Sequence, residues 1–342
     1  MIARTNVNGT PLTPFSCLFY AEVSMPDRTP PTTHNILPQI MVLVGPTAVG
    51  KTALSIDIAE QFDAEIVNVD SRLFYRGMDI GTAKPTPDER RGVPHHLIDF
   101  LDPNDPISLA VVQDLAFAAI DDVLERGKLP LVVGGTPQYV NAIVENWKIP
   151  RVEPNPELRA QLEQEEHENP GVLINRLREV DPVGADKHQG NTRRIIRALE
   201  VYEATGTPIT ELQGKGDPRY NALELELWRP REELYTRIDR RAFDQIEHGL
   251  IDEVKALLTA GADPSAGSFS AIGYRQMLPY LAGDATIEDV VERLQLDCHR
   301  LVRHQETWWR KNPRLIRIDM QDADAKQLVR QHIVDFVAET NR

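Results

Sequence analysis

Residues 40–44 read Ile-Met-Val-Leu-Val and run straight into a glycine, and residues 129–133 read Leu-Pro-Leu-Val-Val and do the same. Between them, residues 64–70 place Ala64, Ile66, Val67 and Val69 around two polar positions. Short apolar runs bounded by turn residues predict buried strands. Segments of helical period, 51–61 and about 109–126, separate them. Strands that alternate with helices predict a parallel sheet covered on both faces. Residues 223–228 alternate strictly, with Leu223, Leu225 and Leu227 against Glu224 and Glu226. They predict a fourth strand, followed by one long amphipathic helix over about 231–260. Residues 315–318 predict a late edge strand.

The alternation fails between about 150 and 210. Pro154 and Pro156 open this stretch, 157–168 and 173–180 carry helix period, and a helix over 191–205 is stopped by Gly206 and Pro208. It reads as a helical insertion. The expected organisation is therefore a disordered extension over 1–37, the first part of an α/β core over 38–150, and the insertion over 151–210. Core completion with basic C-terminal helices follows over 211–318, then a C-terminal tail over 319–342. The extension is rich in proline and lacks helical period. Its apolar piece at 15–23 contains Glu22 and follows only Arg4, which argues against a signal segment and leaves Met25 as an alternative start.

Composition narrows the function classes. The chain has 342 residues and a formal net charge of −14, with 41% hydrophobic and 26% charged residues, a soluble globular profile of two-domain length. No apolar run approaches the roughly 18 residues of a membrane span. Cys17 and Cys298 lie far apart and match no metal-ligand spacing, which fits a reducing cytoplasm. A chain this acidic is no general polyanion binder. One region departs from the average: residues 293–317 hold seven basic and two acidic side chains, with Trp308 and Trp309 among them. Together with Arg193, Arg194 and Arg197 on the 191–205 helix, this favours RNA over a plain solvated face.

The most specific chemistry is Gly45-Pro46-Thr47-Ala48-Val49-Gly50-Lys51-Thr52, placed between a strand and a helix. This is a Walker A pattern, in which glycines let backbone N–H groups converge on phosphate at the positive end of a helix. Lys51 would reach phosphate oxygens, and the Thr52 hydroxyl would hold Mg²⁺. The motif specifies a diphosphate or triphosphate without specifying ATP. Asp70 ends the second strand and Gly134-Gly135-Thr136 ends the third, so both open onto the crevice at the carboxyl ends of the strands. There Asp70 has the position of a general base or a metal partner. The adjacent histidines His95 and His96 lack a third ligand and read as structural or capping residues.

Several segments together resemble the bacterial tRNA dimethylallyltransferases: the phosphate motif, the run Asp70-Ser71-Arg72-Leu73-Phe74-Tyr75-Arg76-Gly77-Met78-Asp79-Ile80-Gly81-Thr82-Ala83-Lys84-Pro85, His95-His96-Leu97-Ile98-Asp99, Gly134-Gly135-Thr136, Arg194-Ile195-Ile196-Arg197-Ala198-Leu199-Glu200 and Ile272-Gly273-Tyr274-Arg275-Gln276. The resemblance covers about 39–318. It implies a P-loop NTPase-like parallel sheet with an inserted helical domain, and transfer of a dimethylallyl group from dimethylallyl diphosphate to N6 of the adenosine 3′ to the anticodon. It further implies Mg²⁺ as cofactor and a cytoplasmic monomer that clamps an anticodon stem-loop. By the same resemblance, Asp70, Lys51 and Thr47 are catalytic, and Gly45 to Thr52 with Arg237 hold the diphosphate. Asp70, Ser71, Arg72, Leu73, Thr136, Arg159, Arg193, Arg194, Arg197, Gly273, Tyr274, Arg275 and Gln276 are implied to touch tRNA. Departures include Pro137 after Thr136 and His304 before Gln305, where a basic residue is expected. The rival reading is a P-loop small-molecule kinase using ATP, in which Lys51 grips ATP and Asp70 activates a hydroxyl.

Overall fold

The computed structural model describes residues 37–339; the predicted extension over 1–36 lies outside them. Six parallel strands form the central sheet: β1 Gln39–Val44, β2 Ala64–Asn68, β3 His95–His96, β4 Leu129–Gly134, β7 Asn221–Trp228 and β8 Ile316–Asp319, in the order β3-β2-β4-β1-β7-β8. β5 Trp147–Lys148 and β6 Gly214–Lys215 form a separate antiparallel pair. β1 is central because its side chains are apolar on both faces. Met41 and Leu43 face a core with α1 (Lys51–Phe62), while Ile40, Val42 and Val44 face a second core with α2 (Leu109–Glu125) and α3 (Pro137–Val144). Continuous rather than alternating hydrophobicity is what a doubly covered parallel strand requires. β4 and β7 flank β1 on opposite sides, so the connections diverge around it and leave a crevice at its carboxyl end.

The insertion comprises α4 Pro156–Glu168, α5 Val172–Val180, α6 Pro182–His188, α7 Thr192–Thr205 and the short α8 Ile209–Leu212, closed around its own core of Leu162, Leu173, Leu177, Ile195 and Leu199. The expected long helix is two helices, α9 Arg231–Glu247 and α10 Leu250–Thr259, because Gly249 adopts φ 97° between them. With α11 Tyr274–Ala282 and α12 Ile287–Trp309 they build a further core against Phe74, Tyr75 and Met78. The expected tail is also revised. Residues Ala325–Glu339 form α13, and Val329, Ile333 and Phe336 fill the same core as α1. No helix among the described residues is long and apolar enough to cross a membrane.

Candidate active site

The loop between β1 and α1 is held from outside by cations. Arg237 Nε donates to the Ala48 carbonyl at 2.8 Å, Arg229 Nε to the Val49 carbonyl at 3.2 Å, and Arg241 Nη2 to Thr47 Oγ1 at 3.0 Å. With two carbonyls turned outward, the first amides of α1, which have no helical partner, stay free for a ligand. Gly45 has φ 143° and Gly50 φ 111°, and a Cβ on Gly45 would lie 2.5 Å from the Leu227 carbonyl oxygen. No other residue fits there. Lys51 Nζ donates to the Gly45 and Pro46 carbonyls, each at 2.9 Å. Burial lowers its pKa to about 8, with Asp70 raising it and Arg241 lowering it further.

Asp70 stands just beyond the end of β2, and its carboxylate accepts from the Arg72 amide at 3.1 Å. The buried Asn68 fixes the turn, accepting from the Asp70 amide at 3.2 Å and donating to the Leu97 carbonyl at 2.9 Å. The reacting groups converge over Gly135. A Cβ placed there would lie 3.5 Å from Asp70 Oδ2 and 3.6 Å from Lys51 Nζ. Carboxylate and ammonium therefore border one small space. Thr136 opens α3 at the same edge, partly exposed and with no side-chain capping bond.

Two residues complete this site from far along the chain. Gln305 of α12 is buried, accepts from the Thr47 amide at 2.9 Å and donates to the Gly135 carbonyl at 2.7 Å. It joins the phosphate loop to the β4 edge. Arg241 is the other. Thr47 and Gln305 are 258 positions apart, so no local pattern could have paired them.

Other expected site residues turn inward. Tyr274 is fully buried, and its hydroxyl donates to Glu253 at 2.6 Å. Glu253 also accepts from the Asp79, Ile80 and Gly81 amides. Gly273 is buried, with φ 110°, and a Cβ there would stand 3.2 Å from Gly81 Cα. Gln276 is buried and donates to Asp297 at 2.8 Å. Gly273 and Tyr274 brace the loop after Asp70, and Gln276 ties the start of α11 to α12. Arg275, its side chain 56% exposed, stays on the surface. Arg159 and Arg197 both pair with the buried Glu200 while staying 38% and 30% exposed, and Arg197 also donates to the Val152 carbonyl at 2.9 Å. Arg193 and Arg194 are exposed in the first turn of α7 and make no ion pair among the described residues. Ser71, Arg72 and Leu73 are partly buried next to Asp70. Ser71 and Arg72, with Tyr75 and Tyr139, line a cavity of about 660 Å³.

The basic stretch divides in the same way. Arg293 pairs with Asp297, Arg303 donates to Tyr235, Arg314 holds Glu224 and Glu145, and Arg317 lies 4.7 Å over the Trp228 ring. Arg300, Arg310 and Lys311 remain exposed without ion pairs among the described residues. Arg231 is taken by Glu306, leaving Arg229, Arg237 and Arg241 at the loop. His96 Nε2 lies 2.7 Å from Glu65, and His95 Nδ1 lies 2.8 Å from the Val93 carbonyl.

A parallel α/β sheet with a strand–loop–helix phosphate cradle at the carboxyl end of its central strand defines a P-loop protein, here with a carboxylate facing the cradle. The family described as IPP transferase matches residues 73–312, and that described as isopentenyl transferase matches 38–104. A tRNA dimethylallyltransferase of Roseiflexus castenholzii is 50% identical over 298 residues, covering 85% of this chain and 97% of that protein. One from Thermomicrobium roseum is 51% identical over 274 residues, covering 80% and 83%. The crystal structure of the Bacillus halodurans tRNA isopentenylpyrophosphate transferase matches at 39% identity and TM-score 0.65, over 88% of this chain and 96% of that one. A eukaryotic dimethylallyltransferase acting on tRNA matches at 29% identity and TM-score 0.75, over 89% and 80%. The chain belongs to the tRNA dimethylallyltransferase family. This membership removes the kinase alternative.

Proposed function

We propose that this chain transfers the dimethylallyl group of dimethylallyl diphosphate to N6 of the adenosine 3′ to the anticodon in tRNA, releasing diphosphate. The observation that carries the reading is the convergence of Lys51 and Asp70 over Gly135. The N6 nitrogen attacks the first carbon of the allyl chain, the carbon–oxygen bond to diphosphate breaks, and the N6 proton passes to Asp70. Lys51 and the inward amides meet the charge that grows on the departing diphosphate. Fixed positive groups aimed at developing charge are the main source of rate acceleration in such sites. Arg237 and Arg241 are placed to close on the same oxygens. Asp70 contributes about 10²–10⁴-fold as a general base.

Thr52 is exposed on the first turn of α1, and its hydroxyl makes no hydrogen bond among the described residues. That fits Mg²⁺, which takes one or two protein ligands and completes its shell with phosphate and water. No cluster of three or more His, Cys, Asp or Glu that could hold an ion occurs among the described residues. When bound, the ion would add positive charge at the leaving group. Arg193 and Arg194 crowd the positive end of α7, an arrangement costing about 0.3–1 kcal/mol each that an RNA phosphate would relieve. The reaction needs one copy of the chain, which we assign to the cytoplasm with its substrate.

The test is incubation with radiolabelled dimethylallyl diphosphate and an unmodified anticodon stem-loop. Label entering the RNA is the expected result. ATP consumption with no labelled RNA would overturn it.

A further inference from the structure

Two arginines hold consecutive carbonyls of the phosphate loop, and one carboxylate is shared between them. Arg237 Nε donates to the Ala48 carbonyl at 2.8 Å, and Arg229 Nε to the Val49 carbonyl at 3.2 Å. In a planar trans peptide the N–H points opposite to the C=O. These two bonds therefore aim the Val49 and Gly50 amides away from the arginines. Neither amide donates a hydrogen bond among the described residues. Ala48 has φ 64°, a left-handed conformation that is costly for a residue with a Cβ and persists where its surroundings enforce it. Glu233 Oε1 accepts from Arg229 Nη1 at 2.5 Å and lies 4.0 Å from Arg237 Nη1. Its other oxygen accepts from Gln321 Nε2 at 3.1 Å, in the turn after β8. Arg229, Glu233 and Arg237 are spaced by four, which puts them on one face at the start of α9. Arg237 is 46% exposed. Keeping such a side chain on one carbonyl costs rotamer entropy, and the shared carboxylate offsets that cost.

We propose that Glu233 is a positioning residue for the donor. Through Arg229 and Arg237 it presets the Val49 and Gly50 amides to receive the diphosphate, while Gln321 fixes the carboxylate from the C-terminal side. Glu233 itself touches no substrate. This rests on the diphosphate reading above. Amides aimed before binding spare the ligand the cost of ordering the loop, so the effect falls on donor affinity. By charge alone, a carboxylate among the cations of an anion site weakens binding. The two accounts therefore predict opposite signs.

The experiment measures inorganic diphosphate binding by calorimetry, with donor KM, stem-loop KM and kcat. It compares wild type, Glu233→Ala, Glu233→Gln, Arg229→Ala and the double variant of Glu233→Ala with Arg229→Ala, each below its own melting temperature. Glu233→Ala should weaken inorganic diphosphate binding and raise donor KM by about 3- to 30-fold. Its stem-loop KM and kcat should stay within about twofold of wild type. Glu233→Gln keeps an acceptor for Arg229 and should recover most of the loss. The double variant should lose less than the product of the two single losses, because both residues act through one loop. Unchanged or tighter diphosphate binding in Glu233→Ala would make the carboxylate a plain charge beside the loop and overturn the proposal. Fully multiplicative losses, or a stem-loop KM that rises with the donor KM, would also overturn it. Wild-type labelling of the stem-loop tests the parent reading separately: if no label enters RNA that reading falls, and the calorimetry still decides the role of Glu233.

Discussion

The phosphate loop and helix α7 of the insertion use arginine in opposite ways. At the phosphate loop, Arg229, Arg237 and Arg241 donate to oxygens of the loop itself, so cations around the loop set its shape. On α7, one turn separates Arg193 and Arg194, which are exposed and make no ion pair among the described residues, from Arg197, which is tied to the buried Glu200. The same residue type in one short segment is therefore left exposed at two positions and tied into the fold at a third. Glu200, Asp297 and Glu224 are the buried carboxylates that tie arginines into the fold.

The largest expected effect lies at the phosphate end. Lys51→Ala should lower transfer by about 10²- to 10³-fold or more while circular dichroism and melting temperature hold, since Lys51 bonds only carbonyls of its own loop. Loss of the fold would make the residue a scaffold and erase the contrast.

Arg197 and Arg193 should then separate cleanly. Replacing Arg159 and Arg197 together leaves Glu200 buried and unpaired, which should cost about 3 kcal/mol of stability, with the salt dependence of RNA binding unchanged. Replacing Arg193 and Arg194 should leave melting unchanged and flatten the slope of log K against log salt by about 1 to 2. If the Arg197 variant changed the slope and not the melting point, the division between contact and scaffold would be reversed.

The phosphate end was legible because everything it needs is adjacent: Gly45, Gly50, Lys51 and Thr52 fall in one motif between an apolar run and a helix. The parallel sheet was legible from apolar runs that must be buried on two faces. What stayed hidden was set by distance. Gln305 reaches Thr47 across 258 positions, and Arg241 reaches it across 194. Tyr274 and Gln276 sit in a segment shared with Arg275, and only packing against Gly81 and Asp297 shows which of them faces inward. The C-terminal helix was missed because Val329, Ile333 and Phe336 are spaced among many polar residues. Its apolar stripe makes sense only once the α1 core is there to receive it.

A smaller effect is expected with pH. Burial holds Lys51 down at about 8 in the free protein. Its ammonium is therefore complete below that value and lost as pH rises through it. Donor kcat/KM should fall above about pH 8, since that parameter reports the free enzyme. Lys51→Arg, always charged, should remove the fall even if its rate is lower. A wild-type profile flat to about pH 9.5 would contradict the burial argument.

Asp70→Asn is the most direct measurement of the central claim, because it keeps the shape and a hydrogen-bond acceptor but removes basicity. With Asp70 as the base for N6, kcat should fall by about 10²-fold or more. Donor affinity should stay unchanged, because Lys51 and the loop amides hold the diphosphate. A parallel shift in Mg²⁺ dependence and donor affinity would make Asp70 a metal partner. Near-normal kcat would contradict the account outright.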